Sequence, residues 1–266
     1  MPKLLKLIHL VFYSLCLISC SGSDVTLPGY IEGEYTYVSS GVAGTLTQLF
    51  VQRGQQIQAG APLYVFDPQP EASDVAVSTA NRDDLKAQVL FAKAQLDRQT
   101  ALYKTHFAAK ADLDQAQQIY SSRTQEMDAN TATLNHSLWA LNQKTMNAPV
   151  DGVVFDTFYR VGERVDLNHP VLAILNPANI QVLFYVPETV LSQIKLGQDI
   201  TFTCDTCQQA THAKISYISP EAEYTPPVIY SKDSRDKLVY LIRASMPADV
   251  AVQFHPGQPI DVSLHL

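Results

Sequence analysis

The residues best equipped for chemistry in this chain are a Cys204-x-x-Cys207 pair, a histidine five positions on (His212), and two carboxylates two positions apart, Glu221 and Glu223. Thiols at that spacing can close a local disulfide, form a redox centre, or supply half of a zinc site. A redox thiol usually sits at a helix N-terminus, whereas Ile200-Thr201-Phe202-Thr203-Cys204 reads as a strand running into an Asp205-Thr206 turn. A zinc site built on Cys204, Cys207 and His212 lacks a fourth ligand at matching spacing. A disulfide is therefore the leading expectation, with free thiols next and a metal or redox role last. Glu221 and Glu223 could act as acid and base only if the fold made them converge and shifted their pKa values. Their spacing implies neither, so they read as polar residues shaping an interface. The seven histidines are scattered, with His106 in the middle of the chain and His9 near its start. No Ser-His-Asp constellation, phosphate-cradling glycine loop or His-Glu-x-x-His site is legible. Catalytic residues, metal sites and cofactors are not expected.

Which thiol chemistry applies depends on the compartment. Lys3 and Lys6 precede an apolar stretch over residues 7–18, interrupted only by His9 and Ser14. A dozen or so apolar residues suit the core of an export signal and are too few to span a bilayer as a helix. The stretch ends in Leu17-Ile18-Ser19-Cys20, which resembles a bacterial lipobox. Residues 1–19 are then a lipoprotein-type signal peptide, and Cys20 carries the acyl chains that anchor the mature protein. The alternative is a secretory signal cut near Ser21-Gly22. Cys16 leaves with the signal, so Cys204 and Cys207 remain as an isolated pair in an oxidising compartment.

The chain has 266 residues, 19 basic against 26 acidic, and a formal net charge of −7. That balance, without any Lys/Arg cluster, argues against a nucleic-acid partner, because phosphate binding needs a basic face. At 46% hydrophobic and 17% charged residues the chain can bury sizeable cores.

The elements that must position these residues follow an internal repeat. Shifting the sequence by 108 residues lays Gly44 on Gly152, Gly54 on Gly162, Ile57 on Val165, and Pro62 on Pro170. Phe50 meets Phe158, Leu63 meets Val171, and Phe66 meets Ile174. Each copy reads strand, glycine turn, short strand, turn, apolar strand, with prolines at strand starts. Neither copy can bury its apolar face alone, so the two are expected to pack into one flattened β-sandwich.

Between the copies, residues 72–143 contain no glycine or proline and are rich in Ala, Gln, Asp and Leu, a helix composition. Apolar positions advance in steps of three and four at Leu85, Val89, Ala92 and Leu96, and on through Gln99 to Tyr103. The pattern resumes at Leu113, Ala116, Tyr120, Arg123, Met127, Asn130, Leu134, Ser137 and Leu141. This is a coiled-coil seam, and residues 105–109 divide it into an antiparallel helical hairpin. Beyond the second copy, alternation returns at residues 180–186, 200–203, 213–218, 239–245 and 260–264, enough strands for a small barrel. Residues 224–237, with Pro226-Pro227, read as a loop.

The fold class is thus mixed α and β. Its parts are a linker over residues 20–32, a split sandwich over 33–71 and 145–176, a hairpin over 72–144, and a β-barrel over 177–266. This arrangement resembles the bacterial membrane-fusion, or periplasmic adaptor, proteins of the HlyD type. The halves, including Ala148-Pro149-Val150-Asp151-Gly152-Val153-Val154, look like that family's lipoyl-like domain. Arg98-Gln99-Thr100-Ala101-Leu102, followed by Leu113-Asp114-Gln115-Ala116, is similar to its motif for docking on an outer-membrane channel. Residues 218–227, with Lys237-Leu238-Val239-Tyr240 after them, look like the barrel of adaptors that serve ABC-type exporters. The motif's serine, eleven residues after the arginine, is replaced by Ala109.

The resemblance implies a non-enzymatic adaptor subunit exporting small molecules or peptides. It would link an inner-membrane ABC-type permease and its ATPase to a TolC-like channel, as a ring of identical copies held in the periplasm by lipid. Arg98, Leu102, Ala109 and Leu113 would be the tip contacts, although Arg98 could instead pair locally with Asp97 or Asp112. The inner membrane is expected for the anchor, while Ser21 permits sorting to the outer one. The membrane-proximal domain of larger relatives is expected to be absent or minimal. Biotinyl and lipoyl carrier domains share the half-motifs but expose a lysine where the halves join, for which Lys144 is the nearest candidate. A non-ABC pump is the other alternative.

Overall fold

The computed structural model describes residues 24–205, 207, 209–224 and 238–265. The expected export signal with Cys20, and the segment 225–237, lie outside the described residues. The chain divides into two compact units, one over Tyr35–Asn176 and one combining the residues up to Glu34 with those from Pro177 onward.

The Tyr35–Asn176 unit begins in the last residues of strand β1 (Asp24–Ser39). It continues through β2 (Gly44–Leu49), β3 (Gln56–Ile57), β4 (Pro62–Phe66), helix α1 (Gln69–Lys104) and helix α2 (Lys110–Asn142). The second copy supplies β5 (Thr145–Asn147), β6 (Gly152–Thr157), β7 (Arg164–Val165) and the start of β8 (Pro170–Pro187). The pairing follows the repeat residue for residue. Gly44 lies opposite Val165 and Thr45 opposite Arg164, while Gly152 lies opposite Ile57 and Val153 opposite Gln56. Leu46 faces Phe66 across β2 and β4, as Val154 faces Ile174 across β6 and β8, and both ladders then shift register at the next residue.

Hydrogen bonds repeat too. The Gly54 N–H donates to the Val154 carbonyl at 2.8 Å, and the Gly162 N–H to the Leu46 carbonyl at 2.8 Å. Gly60 (φ 84°) has its counterpart in Asn168 (φ 61°), asparagine being the residue that best tolerates the left-handed region after glycine. Each half lends its short strand to the other, so the sandwich closes only when both are present. Its core is built of matched pairs: Leu46 with Val154, Ile57 with Val165, Leu63 with Val171, Tyr64 with Leu172, and Phe66 with Ile174, all buried.

The helices run 36 and 33 residues, about 54 and 50 Å at 1.5 Å per residue, and turn at residues 105–109. Ser78, Ala92 and Leu96 of α1 and Ala116 and Leu134 of α2 are buried along the seam. The polar positions of α2 on that seam, Arg123, Asn130 and Ser137, are half-buried. Ser137 meets Ser78 across the seam, Oγ to Oγ, at 3.4 Å.

The other unit is a barrel. β9 (Asp199–Thr203), β10 (Thr211–Tyr224), β11 (Leu238–Ser245) and β12 (Pro259–His265) join β1 and β8 in the order β1-β12-β9-β10-β11-β8, and β1 also pairs with β8. Single helical turns, α3 (Glu188–Leu191) and α4 (Ala248–Ala251), precede β9 and β12. Val182, Phe184 and Val186 alternate inward with Ile200, Phe202, Ile242 and Val262.

Two expectations need correction here. Residues 24–32, read as linker, are strand: Val25 pairs with Leu264, Leu27 with Val262 and Gly29 with Ile260. A Cβ on Gly29 would lie 2.6 Å from the Leu183 carbonyl oxygen. Glycine here permits close strand approach rather than a turn. Glu221 and Glu223, which fall between the strand expected over 213–218 and the loop expected over 224–237, lie within β10, because a register shift between Ile218 and Ala222 lets the ladder resume.

Candidate functional site

The hairpin tip is built by local bonds. The Phe107 N–H donates to the Leu102 carbonyl at 2.9 Å and the His106 N–H to the Tyr103 carbonyl at 3.0 Å, ending α1 with His106 in the left-handed region. Ala109 starts α2, and its N–H donates to Asp112 Oδ2 at 3.3 Å. Alanine cannot return that bond to the helix, as a serine would.

Arg98 and Leu102 stand four residues apart on α1, which places both on one face. Both are exposed, as is Ala109, whereas Leu113 is half-buried at the seam. The two carboxylates that could hold Arg98 locally are engaged elsewhere: Asp97 pairs with Lys93 at 2.7 Å, and Asp112 caps α2. The Asp97 carboxylate correspondingly holds the Lys93 ammonium above its ordinary pKa. Among the described residues Arg98 makes no ion pair. Phe107, 83% exposed at the turn, is a tip residue that periodicity missed. An apolar residue inside an otherwise small and polar turn was the available signal.

Lys144 sits at the hairpin root, 3% exposed. Its Nζ lies 2.7 Å from Glu71 Oε1 and donates to the Ala43 carbonyl oxygen at 2.9 Å. A buried ammonium held by two partners is no attachment point for a swinging amide arm, which removes the support for a carrier domain.

In the barrel, Cys204 and Cys207 form a disulfide beside an open cleft of about 790 Å³ that His212, Val250 and Phe254 help to line. Oxidised sulfurs are not thiolate ligands. Among the described residues no group of three or more His, Cys, Asp or Glu side chains is placed to hold a metal ion. Glu221 and Glu223 are exposed. Ser219 Oγ donates to the Glu221 carbonyl at 2.9 Å, and Glu223 lies against Tyr185, whose hydroxyl pKa is pushed up to about 12, chiefly by burial, with Tyr30 and Glu223 adding to it. The disulfide and these carboxylates belong to the barrel unit, and the tip residues to the other. Among the described residues no helix is long and apolar enough to cross a membrane.

Residues 34–176 match the family model of the barrel-sandwich hybrid domain of RND membrane fusion proteins (RND MFP). The chain belongs to the RND membrane fusion protein family. Among its relatives is the "UPF0194 membrane protein in asrC 5'region" of Acidithiobacillus ferridurans, 30% identical over 223 residues. That match covers 72% of this chain and 64% of the relative's length. Two solved structures share the fold. The membrane fusion protein Spr0693 from Streptococcus pneumoniae R6 superposes with a TM-score of 0.64 at 16% identity, covering 91% of this chain and 99% of that one. MacA from Actinobacillus actinomycetemcomitans does so with a TM-score of 0.58 at 21% identity, covering 91% and 78%. In this membrane fusion protein the matched segment includes both sandwich halves and the whole hairpin.

Proposed function

We propose that this membrane fusion protein is the periplasmic adaptor of a tripartite efflux or secretion system, joining an inner-membrane ABC-type exporter to a TolC-like outer-membrane channel. The observation that carries the reading is the pair of helices, 36 and 33 residues long, that leaves the sandwich and ends in an exposed Arg98–Leu102 face. Two helices with so few buried residues make a poor globular lobe but a suitable arm. Copies side by side form a conduit, the lipid on Cys20 holds each to the inner membrane, and cargo crosses without release into the periplasm. Energy comes from the pump, and the chain catalyses nothing.

The ABC assignment rests on the likeness of residues 218–227 and 237–240 to barrels of ABC-exporter adaptors. The family model's own name favours the second reading, a pump of the RND kind. Crosslinking from the tip in membranes tests the channel: it should capture a TolC-like protein and fail when Arg98 and Leu102 are changed together. Unchanged export by that double variant would overturn the tip assignment. The pump that co-purifies decides between the readings. If export continues when its nucleotide-binding subunit is inactivated, the ABC assignment fails. An unmodified N-terminus by mass spectrometry would remove the lipid anchor.

A further inference from the structure

The root of the hairpin carries a buried ion pair that the repeat does not account for. Lys144 lies just past α2, and one ammonium bridges three segments: Glu71 in the first turn of α1, the Ala43 carbonyl of the sandwich, and its own position at the end of the hairpin. Glu71 Oε2 is buried without a hydrogen-bond partner among the described residues, so that carboxylate depends on Lys144. Around the pair, Ser40 Oγ donates to the Gln143 carbonyl at 3.0 Å and accepts from the Val42 N–H at 3.1 Å. Gly41 lies beneath Trp139, where a Cβ would meet the indole at 3.3 Å. Shifted by the repeat, Lys144 and Glu71 fall on Thr36 and Asn179, which cannot pair as ions. The pair is therefore not a product of the repeat, and it stands at the sandwich edge from which the hairpin emerges.

Burying an ammonium and a carboxylate is costly, and apolar residues of similar size often stabilise a core at least as well. What a buried pair adds is a geometric requirement, since it is satisfied in one arrangement and orphaned in others. We propose that Lys144 and Glu71 are positioning residues, a latch that holds the hairpin at a single angle to the sandwich and so presents the tip in one pose. Only the use of that pose in docking rests on the adaptor reading; the latch itself does not.

The test uses spin labels carried by an unnatural amino acid at Gln58 and Gln118, both exposed, in the full chain with its cysteines untouched. Pulsed EPR then reads the sandwich-to-hairpin distance distribution. The parent should give one narrow peak. Lys144→Met should broaden it at least twofold, and Glu71→Gln, which keeps shape and hydrogen bonding, should broaden it less. The double variant Lys144→Met/Glu71→Leu removes the orphaned charge, and it keeps the proposal testable should Lys144→Met fail to fold. A latch predicts that the double variant regains its unfolding midpoint but stays broad. A purely structural pair predicts that it regains the narrow peak as well, and that result, or parental width in the single variants, overturns the proposal. Because the readout needs no pump or channel, it can fail or succeed independently of the adaptor reading.

Discussion

Replacing Tyr64 by phenylalanine should stabilise this protein, and the gain should grow at alkaline pH. The Tyr64 side chain is fully buried in the sandwich, its ring centroid 5.1 Å from that of Phe66, and its hydroxyl finds no partner among the described residues. An unsatisfied buried hydroxyl costs about 1–3 kcal/mol. The second copy carries Leu172 at the same place, equally buried, so the hydroxyl is not needed to build the motif. Tyr64→Phe should therefore gain about 1–2 kcal/mol near pH 8, or roughly 2–8 °C in Tm for a chain of this size.

Burial also holds the Tyr64 hydroxyl well above its ordinary pKa of 10.0. Above pH 10 the unfolded chain ionises this group while the folded protein keeps it protonated. The unfolded state then binds fewer protons, and stability falls as pH rises. The loss reaches about 1.4 kcal/mol at pH 11 relative to pH 9, and phenylalanine abolishes it. Urea unfolding of both proteins at pH 8, 10 and 11 measures the difference, in which all other titrating groups cancel. A less stable phenylalanine variant at pH 8, or a gap that does not widen between pH 8 and 11, would refute this account of the core.

Other outcomes follow from single contacts. A Cβ at Gly44 would lie 2.9 Å from that of Phe66, and one at Gly152 would press on the Leu175 carbonyl, so Gly44→Ala and Gly152→Ala should each cost about 1–3 kcal/mol in denaturant melts. Reducing the Cys204–Cys207 disulfide, which closes a four-residue loop, should lower stability by about 2 kcal/mol in the chain-entropy model, measured as the shift in urea midpoint with and without dithiothreitol. Changing Arg98 and Leu102 together to alanine should leave stability within about 0.5 kcal/mol, since Leu102 is 38% exposed and no described partner holds Arg98. A drop in the unfolding midpoint beyond that range would mean the tip residues serve the fold.

The parts that could be read from residues alone were those fixed by local rules. Gly54 and Gly162 mark turns because their positive φ is a local demand, and the three-and-four spacing from Leu85 to Leu141 located the seam because helix geometry is local. Strand β1 escaped because Val25 and Leu27 gain meaning only when β12 lies beside them, while Pro28 and Gly29 look like breakers out of that context. The Lys144–Glu71 pair joins residues far apart in sequence, and no pattern rule connects them before the sandwich closes. At the tip, spacing allowed Arg98 to bond with Asp97 or Asp112. Lys93 and the α2 cap took those carboxylates first.

The exchange of short strands between the two halves also sets a timetable. Residues 44–66 leave the ribosome with β2 paired only to β4 and β3 unpaired, and the missing partners, β7 and β6, are translated about 100 residues later. At 5–20 residues per second the delay is roughly 5–20 s. Through that interval the nascent chain carries raw sheet edges that await their partners, a state in which a chaperone that holds the chain would keep those edges from pairing with other chains. A fragment ending at Phe66 would meet the same fate permanently and should clump rather than fold.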